Sequence, residues 1–390
     1  MNRFWKYRNI PDSKWENWRW QLANRLKNNS NLKEYFPYIT ESSLLDFNAY
    51  VKKFSIGITP YTLSLVKLES NLNPVADDPV WNQIKYLPLN KLCSQYDYDG
   101  IQSNWELSEE MPTDMLHHKY PDRAIIRIVN CCIGYCSYCY LTKRILDIGS
   151  KKQMTRDKTS WSKTISYLKR HKEIRDILIS GGDPLLLSNV QLDSLLSDLT
   201  KIKSIKSIRL NTRSLTFNPY RFDRELVKIF KKYKLNSLEI QVGHPREITD
   251  TFDDVLSLFD DIGYRPQLLW RAPLLKGIND SYEVLEDLFL KLYVRRIMPY
   301  YLFHCSPYSL GRSIFGTSIK KGIEILSRLR RRVPGPAFPR FTLFHIQGKQ
   351  DIPLEIKGTP NFQFLNDSKG KPIVRFKNWK GQWVIYPDVE

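Results

Sequence analysis

No stretch of this chain approaches roughly 18 consecutive apolar residues, so the sequence offers no membrane-spanning helix. Its opening residues, MNRFWKYRNIPDSKWENWRW, lack the apolar centre of a secretory signal. Cysteine is scarce, with six in 390 residues, too few for a disulfide scaffold. Acidic side chains are outnumbered, 41 Asp and Glu against 60 Lys and Arg, for a formal net charge of +19. Internal repeats and low-complexity tracts are also missing, which excludes solenoid and disordered classes. A reducing, cytoplasmic setting is expected. What the chain does have is 42% hydrophobic residues, enough for a full core. Its basic excess either draws anionic partners or simply keeps the surface solvated.

Up to about residue 115 the texture is helical with loops. Trp15, Trp18, Leu22 and Leu26 recur at the spacing of one helix face, which predicts a single helix there. Residues 70–115, with Pro74, Pro79, Pro88 and Pro112, read as an extended linker over the surface. From 123 onward short β-branched runs alternate with amphipathic stretches. The runs are 124–129, 176–180, 207–212, 237–242, 265–270 and 297–303. The helical stretches lie near 159–172, 190–202, 223–234, 251–262, 281–293 and 318–331. Six strands alternating with helices predict an α/β fold with parallel βαβ units, a sheet or barrel. Chemistry in such barrels collects on the loops after the carboxyl ends of the strands. The expected organisation is a helical extension and linker over 1–115, the barrel over 116–333, and a Pro-rich segment over 334–390 that ends in short strands and covers the barrel.

Three of the six cysteines fall within eight positions on the loop after the first run, as Cys132-x3-Cys136-x2-Cys139. Three thiolates on one short loop suit an iron–sulfur cluster. A cubane [4Fe–4S] cluster held by three cysteines leaves one iron open for a substrate or cofactor. A zinc site would need a fourth ligand nearby and usually paired C-x2-C spacing. Cys131, Cys93 and Cys305 lie outside this register and read as bystanders.

The C-x3-C-x2-C loop with Tyr138 before its last cysteine resembles that of radical S-adenosylmethionine (SAM) enzymes. HKYPDR (118–123), SGGDPLLL (180–187), GHPREIT (243–249), LLKGIND (274–280), Pro299-Tyr300-Tyr301 and SLGRSIFGTSIKKGIEI (309–325) resemble, more narrowly, the lysine 2,3-aminomutase family. The N-terminal WENWRWQLANR and ITPYTLSL do so too, and the likeness covers nearly the whole chain. It implies a partial (β/α)6 radical SAM barrel with a capping C-terminal segment of the kind that carries pyridoxal phosphate (PLP). It implies that Cys132, Cys136 and Cys139 hold the cluster, that SAM chelates the fourth iron, and that one electron splits SAM to a 5′-deoxyadenosyl radical. It places SAM near Tyr138, Gly181, Gly182, Asp183, Arg213 and His244. The two glycines would let backbone approach the methionine moiety, and Asp183 would accept from its ammonium group.

The family also implies PLP on a lysine near the C-terminus, where a Schiff base needs a partly neutral amine and nearby cations for the phosphate. Lys349, in HIQGKQDIPL, is the best match; Lys357, in EIKGTPN, competes with it. Lys119 and Arg123 match the positions that hold the phosphate, with Lys119 standing where the family usually has Arg.

Three departures bear on the substrate. Leu141 occupies the family's carboxylate-gripping Arg position in Tyr140-Leu141-Thr142-Lys143-Arg144. The loop His304-Cys305-Ser306-Pro307-Tyr308 lacks the acid that pairs with a distal ammonium, and no second acid stands near Phe344-His345-Ile346. A buried lysine ammonium would be left unpaired, so an amino acid other than free lysine is expected. The alternative is radical chemistry on an amino-acid-like group of a modified DNA or RNA base, with basic residues at 320–340 and 151–175 gripping phosphates. Either reaction calls for an external electron donor of flavodoxin or ferredoxin type. Homo-oligomerisation stays open.

Overall fold

The computed structural model describes residues 2–92, 106–149, 158–355 and 359–388. Lys357, Cys93 and residues 151–157 of the expected basic cluster lie outside them. None of the described helices is long and apolar enough to cross a membrane.

The N-terminal region departs from its predicted single helix. Asn17 interrupts the periodic run: its side chain accepts from the Arg19 and Trp20 amides and starts a new helix, Trp18–Ala23, after the short Asp12–Trp15. Leu26 then belongs to strand β1 (Leu26–Lys27), paired antiparallel with β2 (Gly57–Ile58). The supposed surface linker contains a helix too, Pro79–Ile84, capped by Asp78, with Val80, Trp81, Gln83 and Ile84 buried. Proline at the first helical position favours a helix start, because its missing N–H would have had no partner there.

Among the described residues nine strands form the main sheet. β3 (Leu116–Tyr120) and β4 (Arg123–Val129) make a hairpin, so HKYPDR is itself part of the sheet rather than a lead-in to it. β5 (Asp176–Gly181), β6 (Ser207–Thr212), β7 (Ser237–Ile240), β8 (Gln267–Pro273) and β9 (Met298–Phe303) follow in parallel with β4. β10 (Arg340–His345) adds a seventh parallel strand beyond the six apolar runs, and β11 (Gly348–Asp351) turns back along it. The sheet therefore continues past residue 333. The crossing helices fall within a few residues of the expected spans. Five of the six start at side-chain caps, Ser188, Asp223, Thr249, Ser281 and Ser318, and apolar faces such as Leu192, Leu195, Leu196 and Leu199 are buried.

The sheet is an open barrel whose edges meet through side chains. The Tyr120 hydroxyl of β3 accepts from the Lys349 amide of β11 at 2.9 Å, and Lys119 Nζ donates to the Ile346 carbonyl. The remaining tail, β12 (Phe362–Asn366), β13 (Pro372–Lys377) and β14 (Trp383–Pro387), forms a separate antiparallel sheet. It is fastened to the barrel by the Asp388 carboxylate, which accepts from the Ile319 amide at 2.9 Å, and by Tyr386, whose hydroxyl meets His304 Nδ1 at 2.7 Å.

Candidate active site

The cysteine loop leaves the end of β4 and is held on two sides. Arg25, from the N-terminal extension, donates to the Cys132 and Ile133 carbonyls at 2.9 and 3.1 Å. The end of β5 holds the other side: the Gly182 amide donates to the Val129 carbonyl at 2.6 Å and the Asp183 amide to Cys131 at 2.8 Å. Gly181 has φ +132°, and a Cβ on Gly182 would sit 1.9 Å from the Cys131 carbonyl oxygen. The glycines are thus required by the contact between the two loops, a closer constraint than approach to a cofactor. Gly182→Ala should destabilise the fold by on the order of 3 kcal/mol in denaturant unfolding. A variant within about 0.5 kcal/mol of the parent would contradict that role.

Burial pushes the Cys132 and Cys139 thiols up, Cys139 to about 12, and the neighbouring sulfurs add to the effect. Cys132 feels Cys139, Cys136 and Cys131, so the thiols share one locale. They are not drawn round a point: among the described residues no three His, Cys, Asp or Glu side chains stand ready to hold a metal ion. Three soft sulfurs in one locale are nonetheless a donor set suited to iron. Cys131 is exposed and Cys305 is buried beside Ser309.

Behind the loop lies a buried polar network that motif reading captures only in part. Arg213, after β6, donates to Cys136 Sγ at 3.1 Å, to Tyr138 Oη, to Gln83 Oε1 at 2.6 Å and to Glu247 Oε2 at 3.2 Å. Glu247 Oε1 in turn accepts from Gln83 Nε2 at 2.8 Å and from the Gly243 and His244 amides at 3.0 and 2.9 Å. Burial alone would lower the Arg213 pKa, but Cys136, Tyr138 and Glu247 outweigh it and keep the guanidinium charged. His244 is half-buried and its pKa is lowered by desolvation; its Nδ1 accepts from the Arg246 amide, which leaves the proton on Nε2. Asp183 is buried and its carboxylate is engaged internally, by Thr212, Ser214 and the Arg213 and Leu185 amides. Its geometry is that of a cap and strut, where an acceptor for a ligand ammonium was expected. Gln83 lies in the supposed linker and carries no sequence signal. Glu247 lies within GHPREIT, a motif whose histidine draws the eye first.

A second group lines the barrel interior. Arg209 of β6 pairs with Asp176 of β5 and Glu239 of β7, and Glu239 also takes Arg271 of β8 at 2.9 Å. Arg271 Nε donates to Asn211 at 3.0 Å. Lys349 keeps a solvent-facing surface, yet its Nζ lies 4.5 Å from the Tyr301 ring centre and 5.2 Å from Phe303, among protein atoms. Desolvation there, then the Arg271 charge, pushes its amine down to about 7. Lys119 is tied to Glu110 at 2.7 Å as well as to Ile346, and Arg123 is exposed and paired with Asp122. Neither therefore stands free beside Lys349, while the Arg123 charge is still felt there.

The departures also have structural outcomes. Leu141 is buried in the core, and Arg144 is buried against Glu106 and Asn130. His304 and His345 are buried and pushed down to about 4 by desolvation. The basic patch at 320–340 is largely engaged: Arg328 lies 3.4 Å over the Tyr282 ring, Arg332 pairs with Glu286, Lys321 with Asp280 and Arg340 with Asp351.

Residues 126–288 match the radical SAM superfamily. Over 98% of its length the chain is 33% identical to an L-lysine 2,3-aminomutase of Fusobacterium nucleatum, covering 84% of that protein. It is 31% identical to the L-lysine 2,3-aminomutase of Clostridium subterminale, over 99% of this chain and 87% of the other. The chain belongs to the lysine 2,3-aminomutase family of radical SAM enzymes. This aminomutase-family protein is also 29% identical, over 97% of its length, to a glutamate 2,3-aminomutase of Clostridioides difficile, covering 84% of that protein. Family membership makes it an isomerase built on the radical SAM barrel, with the cysteine loop at the carboxyl end of β4 and the interior charges on successive strands.

Proposed function

We propose that the protein catalyses a PLP-assisted 1,2-amino shift on an amino acid other than free lysine. The observation that carries this reading is Lys349, whose amine lies over the stacked rings of Tyr301 and Phe303 and is pushed down to about 7 by desolvation and the Arg271 charge. Cys132, Cys136 and Cys139 would hold the [4Fe–4S] cluster, with Tyr138, Arg213 and His244 facing SAM and Gly181, Gly182 and Asp183 supporting the loop. When bound, the cluster and SAM supply a carbon radical that abstracts hydrogen, and PLP supplies a conjugated system for the migrating nitrogen.

The chain's own residues bind, orient and exclude water. Arg213 places a fixed cation beside Cys136, and Gln83 with Glu247 locks its orientation. Lys349, its amine pushed down to about 7, offers a nucleophilic nitrogen once deprotonated, and the stacked Tyr301 and Phe303 rings form an aromatic surface beneath it. Asp176 and Glu239 are each engaged by arginine, and His304 and His345 are neutral, so none of these offers a distal ammonium a partner. The electron is expected from a small flavodoxin- or ferredoxin-like carrier.

The test is turnover by anaerobically reconstituted protein with SAM, PLP and dithionite, screened against lysine, glutamate and other amino acids. β-Lysine is expected to be absent, and another amino acid is expected to yield its β-isomer. β-Lysine formed at the rate of the best substrate would overturn the substrate reading.

A further inference from the structure

The sheet β12–β13–β14 buries one face and leaves the other in solvent. Phe362, Val374, Phe376, Val384 and Tyr386 point into the molecule. The outward face carries Arg375 and Lys377 of β13 beside Trp383 and Ile385 of β14. The register places Lys377 opposite Trp383 and Arg375 opposite Ile385. The Arg375 guanidinium lies 4.6 Å from the Trp383 ring centre and Lys377 Nζ 5.5 Å from it. In the β13–β14 loop Lys380 repeats the arrangement, 5.2 Å over Trp379. Trp379 and Trp383 remain 44% and 36% exposed, large values for tryptophan on a folded surface.

Charge on this unit is one-sided. Residues 359–388 hold Lys369, Lys371, Arg375, Lys377 and Lys380 against Asp367 and Asp388. Asp388 is buried as the Ile319 cap, and Asp367 accepts from the Lys369 and Lys371 amides at the turn. No carboxylate of the described unit is paired with Arg375, Lys377 or Lys380 in a salt bridge; these cations lie over the two indole rings. This contrasts with the 320–340 patch, where intramolecular partners take up most of the cations.

We propose that this face binds single-stranded nucleic acid. An exposed Trp383 flanked by cations on an open sheet, with a second cation-bearing indole, Trp379, in the adjoining loop against Tyr120, suits it: bases stack on indole, and phosphates meet Lys and Arg. A second copy of this chain fits poorly, because an isologous contact would set the same cations against one another. A duplex fits less well, since its bases are already stacked and a flat sheet cannot reach them. Binding here does not depend on the reaction proposed above.

The experiment measures binding of the full chain to a fluorescein-labelled oligothymidine of about 16 nucleotides by anisotropy, across a salt series. Trp383→Ala is expected to weaken binding about tenfold while leaving the salt slope unchanged. Arg375→Gln with Lys377→Gln is expected to flatten the slope of log affinity against log salt by about 0.7 for each phosphate no longer neutralised. Lys320→Gln with Arg330→Gln and Arg331→Gln should change neither quantity. Circular dichroism of each variant confirms the fold, and the two sheet variants report independently if one fails to fold. Absence of binding at low salt would overturn the proposal. So would polyglutamate competing as well as unlabelled oligothymidine, affinity indifferent to both sheet variants, or dissociation of an oligomer by Trp383→Ala.

Discussion

Anaerobically reconstituted Cys136→Ala protein is expected to carry no cluster iron and to release no 5′-deoxyadenosine from SAM. Cys132→Ala and Cys139→Ala should behave alike, because removing one of three thiolates leaves too few ligands to retain the cluster. The contrast that gives the test its force is Cys131→Ala. Cys131 is exposed, and what the fold uses of it is the backbone carbonyl that receives the Asp183 amide, which alanine retains. The Cys131 variant should therefore keep full iron content and SAM cleavage. Iron analysis with electron paramagnetic resonance of the reduced protein checks both halves. Loss of the cluster in Cys131→Ala with retention in Cys132→Ala would show that the ligand register is one residue early.

The second large effect is expected at Lys349. Lys349→Ala should abolish the visible absorbance of lysine-bound PLP and the borohydride-trapped adduct. Cluster content and SAM cleavage should persist, since the cysteine loop and its Arg213 network are built from other elements. The pH dependence has a definite sign. An ordinary lysine with a pKa of about 10.4 is under 1% neutral at pH 8. Lys349, pushed down to about 7, is mostly neutral there. Trapping of PLP should thus rise through about pH 7 and level off by about pH 8, far below the range of a surface lysine. The same shift acts on stability: the penalty for a protonated Lys349 is fully present below about 7 and fades as pH climbs toward the ordinary lysine pKa. Trapping that continues unchanged in Lys349→Ala and disappears in Lys357→Ala would transfer the role to Lys357.

Much of the barrel is legible in the sequence because burial imposes periodicity. Strands covered on both faces read as apolar runs, and the helices that cover them show one apolar stripe each. The seventh parallel strand escapes such a reading because Arg340–His345 follows the Pro-rich 334–339, which reads as a tail. The Pro79–Ile84 helix escapes it because its prolines suggest a linker, although Asp78-Pro79 is a good helix start. At the site, the cysteines are visible from their spacing, and the loops after β5, β6 and β7 from their likeness to the family's motifs. The interior charges are not, although a trace is present: Arg209, Glu239 and Arg271 each interrupt an apolar strand at an inward position. A charge within a buried strand calls for a partner, and the three supply one another. Gln83 has no such trace, because its role depends on a contact with Gly243, where a Cβ would fall 2.0 Å from its Oε1.

The seam of the barrel has a mechanical consequence. Lys349 lies on β11, whose amide hydrogen goes to a tyrosine hydroxyl across the gap rather than to a neighbouring strand's carbonyl. Central strands are fastened by ladders on both sides, and opening them needs near-global unfolding. An edge joined by a few side-chain contacts opens at much lower free energy. The lysine that offers its amine to the interior thus sits on the stave that lifts most readily, giving a bulky group a sideways route in. Whatever spans from Lys349 to the interior arginines would act as a hoop, tightening the barrel as it binds.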